Sequence, residues 1–258
     1  MSGRSQLSGI VPGSRRGVAG AGHLLDPSLQ ADWDARPDAW DEVSRSAAFL
    51  EFRDIALSAA RVGATDTVVD LGSGTGLLAL AVAARARRVV AVDVSEPMLD
   101  RLRQHAQDQG LTAIELVHGD MRRLPLPDES VDVVVSCYAF HHLVDDGKEL
   151  VAAEVYRVLR PGGRFVVVDM MFRLSLQRRD RRIIAAKVGM LIRRGVPGML
   201  RLVKNAVRVA RGRWEHPASL DWWQQMVSRR GFELTETREL AHEAGLVSAV
   251  KPAATAEL

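Results

Sequence analysis

Hydrophobic and polar positions change period several times along the chain. Residues 32–61 carry Trp33, Trp40, Phe49, Leu50, Phe52, Ile55 and Leu57 at mostly helical intervals, which predicts one or two helices covering a site or a sheet edge. At Thr67 the pattern becomes a short β-branched run, Thr67-Val-Val-Asp-Leu71, ending in Gly72-Ser-Gly-Thr-Gly76 and an apolar, Ala-rich stretch over 77–86. That order reads as strand, glycine turn and helix. The alternation then repeats. Strands are predicted over 89–93, 114–117, 131–137 and 164–170, with helices over 97–109, begun by a Ser95 cap, and over 147–159, closed by Arg160-Pro-Gly-Gly163.

Unbroken apolar runs such as Val133-Val-Val135 and Phe165-Val-Val-Val168 suit strands covered on both faces, as in a parallel sheet. A helix over 219–230 and strands over 233–240 and 246–250 follow. The last two strands are separated by too few residues for a helical crossover, so they should be antiparallel neighbours. The expected fold is therefore α/β: a Rossmann-like, doubly wound, mostly parallel seven-stranded sheet with an antiparallel last strand.

The 258 residues suit one α/β domain with an elaboration, and 47% hydrophobic with 26% charged residues is an ordinary globular balance. Residues 1–22 read as a flexible tail and 23–258 as the domain, with 23–64 as a helical cover. Cys137 is the only cysteine, so an intrachain disulfide is excluded and the cytoplasm is the expected compartment. No run approaches the roughly 18 apolar residues of a membrane span.

Chemistry concentrates at the strand ends. The glycines after Asp70 allow a tight turn and let a ligand approach the backbone, while the following helix offers free N–H groups. Asp93 ends the next strand, where a carboxylate can accept both hydroxyls of a ribose. The glycines fall at 72, 74 and 76, and Leu77 stands where the dinucleotide fingerprint requires its third glycine, so a nicotinamide dinucleotide is disfavoured. A third acid, Asp120, ends the next strand, where it can meet an adenine amino group.

Five segments then agree in order: Val69-Asp-Leu-Gly-Ser-Gly-Thr-Gly76; Ala91-Val-Asp-Val-Ser-Glu-Pro-Met-Leu99; Gly119-Asp-Met121 with Leu124-Pro-Leu-Pro127; Ser130-Val-Asp132 leading to Phe140-His-His-Leu143; and Arg157-Val-Leu-Arg-Pro-Gly-Gly163. On these the chain resembles the class I S-adenosylmethionine-dependent methyltransferases, close to the group that includes ubiquinone and menaquinone methyltransferases. The resemblance covers roughly 65–170 and implies S-adenosyl-L-methionine as cofactor. Gly72, Gly74 and Gly76 would form its turn, with Asp70 orienting the loop, and Asp93 would take the ribose. Asp120 and Met121 would bracket the adenine, Met98 would line the same pocket, and Ser136 would lie beside the cofactor. The implied reaction is methyl transfer to O, N or C of a small apolar acceptor such as a quinone, phenol or polyketide. The alternative is a relative that binds the cofactor without moving a methyl.

Tyr138, His141 and His142 follow the fourth strand, where an acceptor should lie. His141 is the candidate base, since an imidazole titrates near neutral pH, and Tyr138 and His142 are candidate acceptor contacts. No spacing matches a metal-ligand set, and no metal is expected.

Residues 172–217 form an insertion with its own character. From Arg173 to Arg213 thirteen Lys or Arg face one acid, Asp180, giving +12, while the rest of the chain carries −9 and the whole +3. Met199, Leu202, Val203, Ala206, Val207 and Ala210 share one helical face, and Arg201, Lys204, Arg208 and Arg211 the other. The first expectation is a basic helical lid over a small-molecule acceptor, the second a peripheral membrane contact through 183–211. Nucleic acid is not expected, because aromatics are not interleaved with the charges.

Overall fold

The computed structural model describes residues 27–173, 178–193, 195–197, 199–200, 203, 215–241 and 243–253. The tail over 1–22 lies outside them, as does most of the helix expected over 199–211.

The strands are β1 (Thr67–Leu71), β2 (Arg88–Asp93), β3 (Ile114–His118), β4 (Val131–Cys137), β5 (Leu159–Met170), β6 (Glu233–Glu239) and β7 (Ala244–Val250). They form one sheet in the order β3-β2-β1-β4-β5-β7-β6, with β7 antiparallel to both of its neighbours and the other pairings parallel. The sheet matches the expected architecture. Chain direction across it reverses between β1 and β4, and in such sheets ligands bind outside the carboxyl ends of the strands that flank this switch.

Alternate residues of the apolar strands feed two cores, which is why the runs need no polar face. Val69, Leu71, Val90, Val134 and Phe165 point to one side, where α6 (Asp145–Val158) and α8 (Leu220–Arg229) cover them with Val155, Trp223 and Met226. Val68, Val89, Val133, Val135 and Val166 point to the other. There α3 (Ala47–Ala60), α4 (Ala79–Ala83) and α5 (Glu96–Asp108) supply Phe52, Ala56, Val82 and Leu102.

Boundaries shift where local chemistry decides them. Ser95 caps α5, its hydroxyl accepting from Met98 N–H, and Ser219 caps α8 in the same way. β5 begins pairing at Leu159, five residues before the predicted start; the register jumps between Val131 and Val133 as Arg160-Pro-Gly-Gly163 loops out. The N-terminal segment forms three helices rather than one or two: α1 (Pro27–Asp34), α2 (Pro37–Ser44) and α3. Pro37 restarts the helix after Arg36, because proline fixes a helical φ at a first turn where its missing N–H costs nothing. The insertion contributes α7 (Arg178–Arg193).

Candidate active site

The glycine turn crosses the carboxyl end of β1 and is tied to β2, with Gly72 and Ser73 N–H donating to Val92 C=O at 2.9 and 3.1 Å. Gly72 has φ +68°, and a Cβ there would stand 2.3 Å from the Ala139 Cβ, so only glycine lets this turn close on the end of β4. Gly74 has φ +51°, and a Cβ there would meet nothing within 4 Å, so its backbone borders open space. Gly76 differs: a Cβ would run into Leu102 of α5 at 2.4 Å, and the residue is not on the cavity wall.

Asp93 joins the turn to the second strand. One carboxylate oxygen accepts Gly74 N–H at 2.8 Å and the other accepts Ser95 N–H at 2.9 Å, leaving lone pairs directed at the cavity that Asp93 lines. Burial raises its pKa, and those backbone donors partly oppose the rise. Asp70 is buried beneath the turn, and one of its oxygens has no hydrogen-bond partner among the described residues. Burial, reinforced by the Asp93 charge, pushes its carboxyl up to about 7. An orphaned buried acceptor is costly.

The glycine turn and Asp93 open into one cavity, about 960 Å³ counted out into its open mouth, and Asp70 stands behind its wall, not on it. Met98, Asp120 and Met121 line its β2–β3 end. Arg122, which the sequence did not single out, lines it too: its backbone N–H donates to Asp120 at 2.9 Å and its guanidinium engages both carboxylate oxygens. Asp120 therefore shares its acceptor capacity with Arg122.

The opposite end is aromatic. Trp33 of α1, Trp40 of α2 and Phe49 of α3 line it together with Tyr138 and His142. Tyr138 has φ +57°, unusual for a bulky residue, and stacks on Phe52 with ring centroids 5.2 Å apart. A strained aromatic residue at a strand end marks a position its surroundings over-determine. Burial and nearby carboxylates raise the Tyr138 pKa, so its hydroxyl is a proton donor and acceptor, not a base at neutral pH. The Cys137 thiol, also on the wall, is pushed up by burial and stays protonated.

The adjacent histidines keep their rings in contact, with centroids 4.0 Å apart, but differ in their other partners. Residues 140–142 form a single 3₁₀ turn, which sends the two rings into different surroundings. His142 lines the cavity with its ring 4.8 Å from Trp33. His141 is buried outside the wall, its Nδ1 2.6 Å from the buried carboxylate of Asp169. Burial alone would lower the His141 pKa; the Asp169 charge and hydrogen bond more than offset it, and the net direction is upward. Asp169 also accepts the N–H groups of Ala139, Phe140 and Met170, so one carboxylate fixes the whole turn after β4. Buried Lys148 adds a second brace, donating to the carbonyls of Leu143 and His216. Ser136 is likewise off the wall: its hydroxyl donates to Leu71 C=O at 2.7 Å and ties β4 to β1.

Helices α1 and α2 are fastened to the same turns. Gln30 donates to Val94 C=O, and the Ser95 hydroxyl donates to Asp34 at 2.6 Å, both beside Asp93. Asp41 meets Arg101 and His105 of α5, and the other His105 nitrogen is 3.1 Å from Thr75 C=O in the glycine turn. None of the described residues of 172–217 lines the cavity.

The chain matches known proteins over this same region. Residues 69–167 fit the family described as a methyltransferase domain. An uncharacterized methyltransferase of Geobacillus sp. is 33% identical over 55% of this chain and 63% of its own length. A demethylmenaquinone methyltransferase of Thermus thermophilus is 37% identical over 52% of this chain and 60% of its own. The crystal structure of the YcgJ protein from Bacillus subtilis superposes with a TM-score of 0.58 at 21% identity, covering 78% of this chain and 98% of that one, which establishes a shared fold. The chain thus spans less than two thirds of the curated relatives it matches. Residues 69–167 match a methyltransferase domain, and the chain's likeness to the class I S-adenosylmethionine-dependent methyltransferases rests on that match and on the shared fold.

Proposed function

We propose that this protein binds S-adenosyl-L-methionine and transfers its methyl group to a small apolar acceptor of the quinone or phenol type. The observation that carries this reading is the continuity of one cavity, from the glycine turn and Asp93 at one end to an aromatic wall at the other. The residues suit the cofactor: open space before Gly74, Asp93 lone pairs for two hydroxyls, and the buried Asp70 carboxyl behind the turn. When bound, the cofactor supplies an electrophilic methyl group on a sulfonium.

The chain's own residues do the rest. Gly72 and Gly74 would hold the amino-acid end, with Asp70 supporting the turn from behind, Asp93 the ribose, and Met98, Asp120 and Met121 the adenine, with Arg122 neutralising the part of Asp120 that the adenine leaves unused. Gly76 and Ser136 act through packing and strand pairing. Trp33, Trp40, Phe49 and Tyr138 hold a flat apolar acceptor and exclude water, and such positioning contributes several kcal/mol, of order tenfold per 1.4 kcal/mol. His142 takes the acceptor's proton in place of His141, which becomes a positioning residue through Asp169. The demethylmenaquinone methyltransferase among the relatives supports a quinone-like acceptor.

The test is transfer of a labelled methyl group from S-adenosylmethionine to a panel of hydroquinones, phenols and amines. Labelled hydroquinone or phenol, lost in His142→Ala and retained in part in His141→Gln, is expected. Tight cofactor binding with no labelled product from any of them would assign the chain to the non-transferring relatives.

Among the described residues no helix is long and apolar enough to cross a membrane.

A further inference from the structure

We infer that the outer face of the insertion is a docking surface for an anionic lipid bilayer. Eleven large apolar side chains are exposed among the described residues, and seven of them fall between positions 188 and 203, from Val188 and Met190 to Leu200 and Val203. Val196 is 74% and Leu200 66% exposed, whereas among the described residues of this stretch Leu191 is the large apolar side chain that is buried. The sheet and the cavity leave this face uncovered: the wall of the cavity is completed by the N-terminal helices instead.

Within the segment the exposed charge has one sign, although Arg173 at its edge pairs with Asp145. Asp180 is the sole acid from 173 to 213, and it is buried, accepting the Arg173 N–H, so no carboxylate of the segment reaches solvent beside Arg181, Arg182 and Arg193. The pairing of exposed apolar side chains with unopposed cations selects the occupant. Nucleic acid would use the cations and leave Ile192, Val196 and Leu200 in water. A second copy of the chain would bring another +12 segment against this one and be repelled. An anionic bilayer uses both, since apolar side chains enter the acyl boundary while arginines meet the phosphates. The surface is independent of the proposed reaction, because it rests on exposure and charge away from the cavity.

The full chain, mixed with vesicles of phosphatidylcholine alone or with added phosphatidylglycerol and then sedimented, tests this. Binding to the anionic vesicles only, weakened by salt, is expected. Ile192→Glu with Leu200→Glu should lower the bound fraction about tenfold or more, and Arg181→Gln with Arg182→Gln by a similar factor, with S-adenosylhomocysteine affinity unchanged as the measure of an intact fold. Equal binding to both vesicles, binding to neither, or anionic binding that survives the glutamate pair would overturn the inference. Self-association that the glutamate pair abolishes, without vesicle binding, would overturn it in favour of a protein interface.

Discussion

The N-terminal helices and the insertion are both helical additions to the same sheet, and both carry apolar residues at helical spacing. They end in opposite situations. Helices α1 to α3 turn Trp33, Trp40 and Phe49 onto the cavity and are tied to the strand ends by Gln30, Asp34 and Asp41. Helix α7 buries Leu191 and leaves Val188, Met190 and Ile192 exposed beside arginines. An amphipathic pattern states that a face will be covered; the polar residues around it decide by what. Carboxylates and an amide fasten the first region to the protein's own turns, whereas cations without exposed acids point the second outward.

The difference can be broken most sharply by removing the aromatic wall. Trp33→Ala with Trp40→Ala forfeits about 3 kcal/mol of acceptor contact, so kcat/KM for a water-soluble acceptor should fall about a hundredfold. Ile192→Glu with Leu200→Glu should change the same quantity by less than about twofold, since these residues stand off the cavity wall. Comparable losses in both pairs would make the insertion the true cover.

A smaller effect is expected from the fastenings. Asp34→Ala leaves the Ser95 hydroxyl without its acceptor, and the loss of one charge-assisted hydrogen bond corresponds to about 1.5 kcal/mol or about tenfold. Calorimetry should show that loss in cofactor affinity, because the fastening sits two residues beyond Asp93. An unchanged affinity would mean that α1 closes independently of the cofactor turns.

Response to pH separates the regions further. Burial pushes the Asp70 carboxyl up to about 7 in the folded protein, well above the ordinary aspartate range, so between that range and about 7 the native state holds more protons than the unfolded one. Stability therefore falls as pH rises through this window and levels off above it. Thermal denaturation of the cofactor-free protein should show a lower melting temperature at about pH 7.5 than at about pH 5.5, and Asp70→Asn should flatten that slope. Arginines do not titrate there, so vesicle binding by the insertion should stay level over the same range. The smallest effect is that of salt on cofactor affinity, expected below about twofold between about 0.1 and 1 M because the contacts are buried, while vesicle binding collapses.

Much of this was legible in the residues. The succession of strands along the chain, the antiparallel end and the glycine turn followed from apolar runs, short connections and glycine spacing, because buried parallel strands and positive-φ turns tolerate few alternatives. Asp93, Met98, Asp120 and Met121 line the cavity; the two acids were legible as strand-end residues, the two methionines only through the resemblance. The choice between His141 and His142 was not legible, since the two rings lie side by side and Asp169, which captures one of them, lies 28 residues away. Trp33, Trp40 and Phe49 were visible as helix-face residues, but their orientation depends on the distant contacts of Gln30, Asp34 and Asp41. Arg122 gave no sequence signal beyond its nearness to Asp120.

The most direct measurement is calorimetric titration of S-adenosylhomocysteine into the wild-type protein and into Asp93→Ala. Binding by the wild type, weakened about ten- to hundredfold by loss of the ribose acceptor, is the expected result. Equal affinity in the two proteins, or no binding to the wild type at about millimolar ligand, would contradict the assignment of this cavity to an adenosyl cofactor.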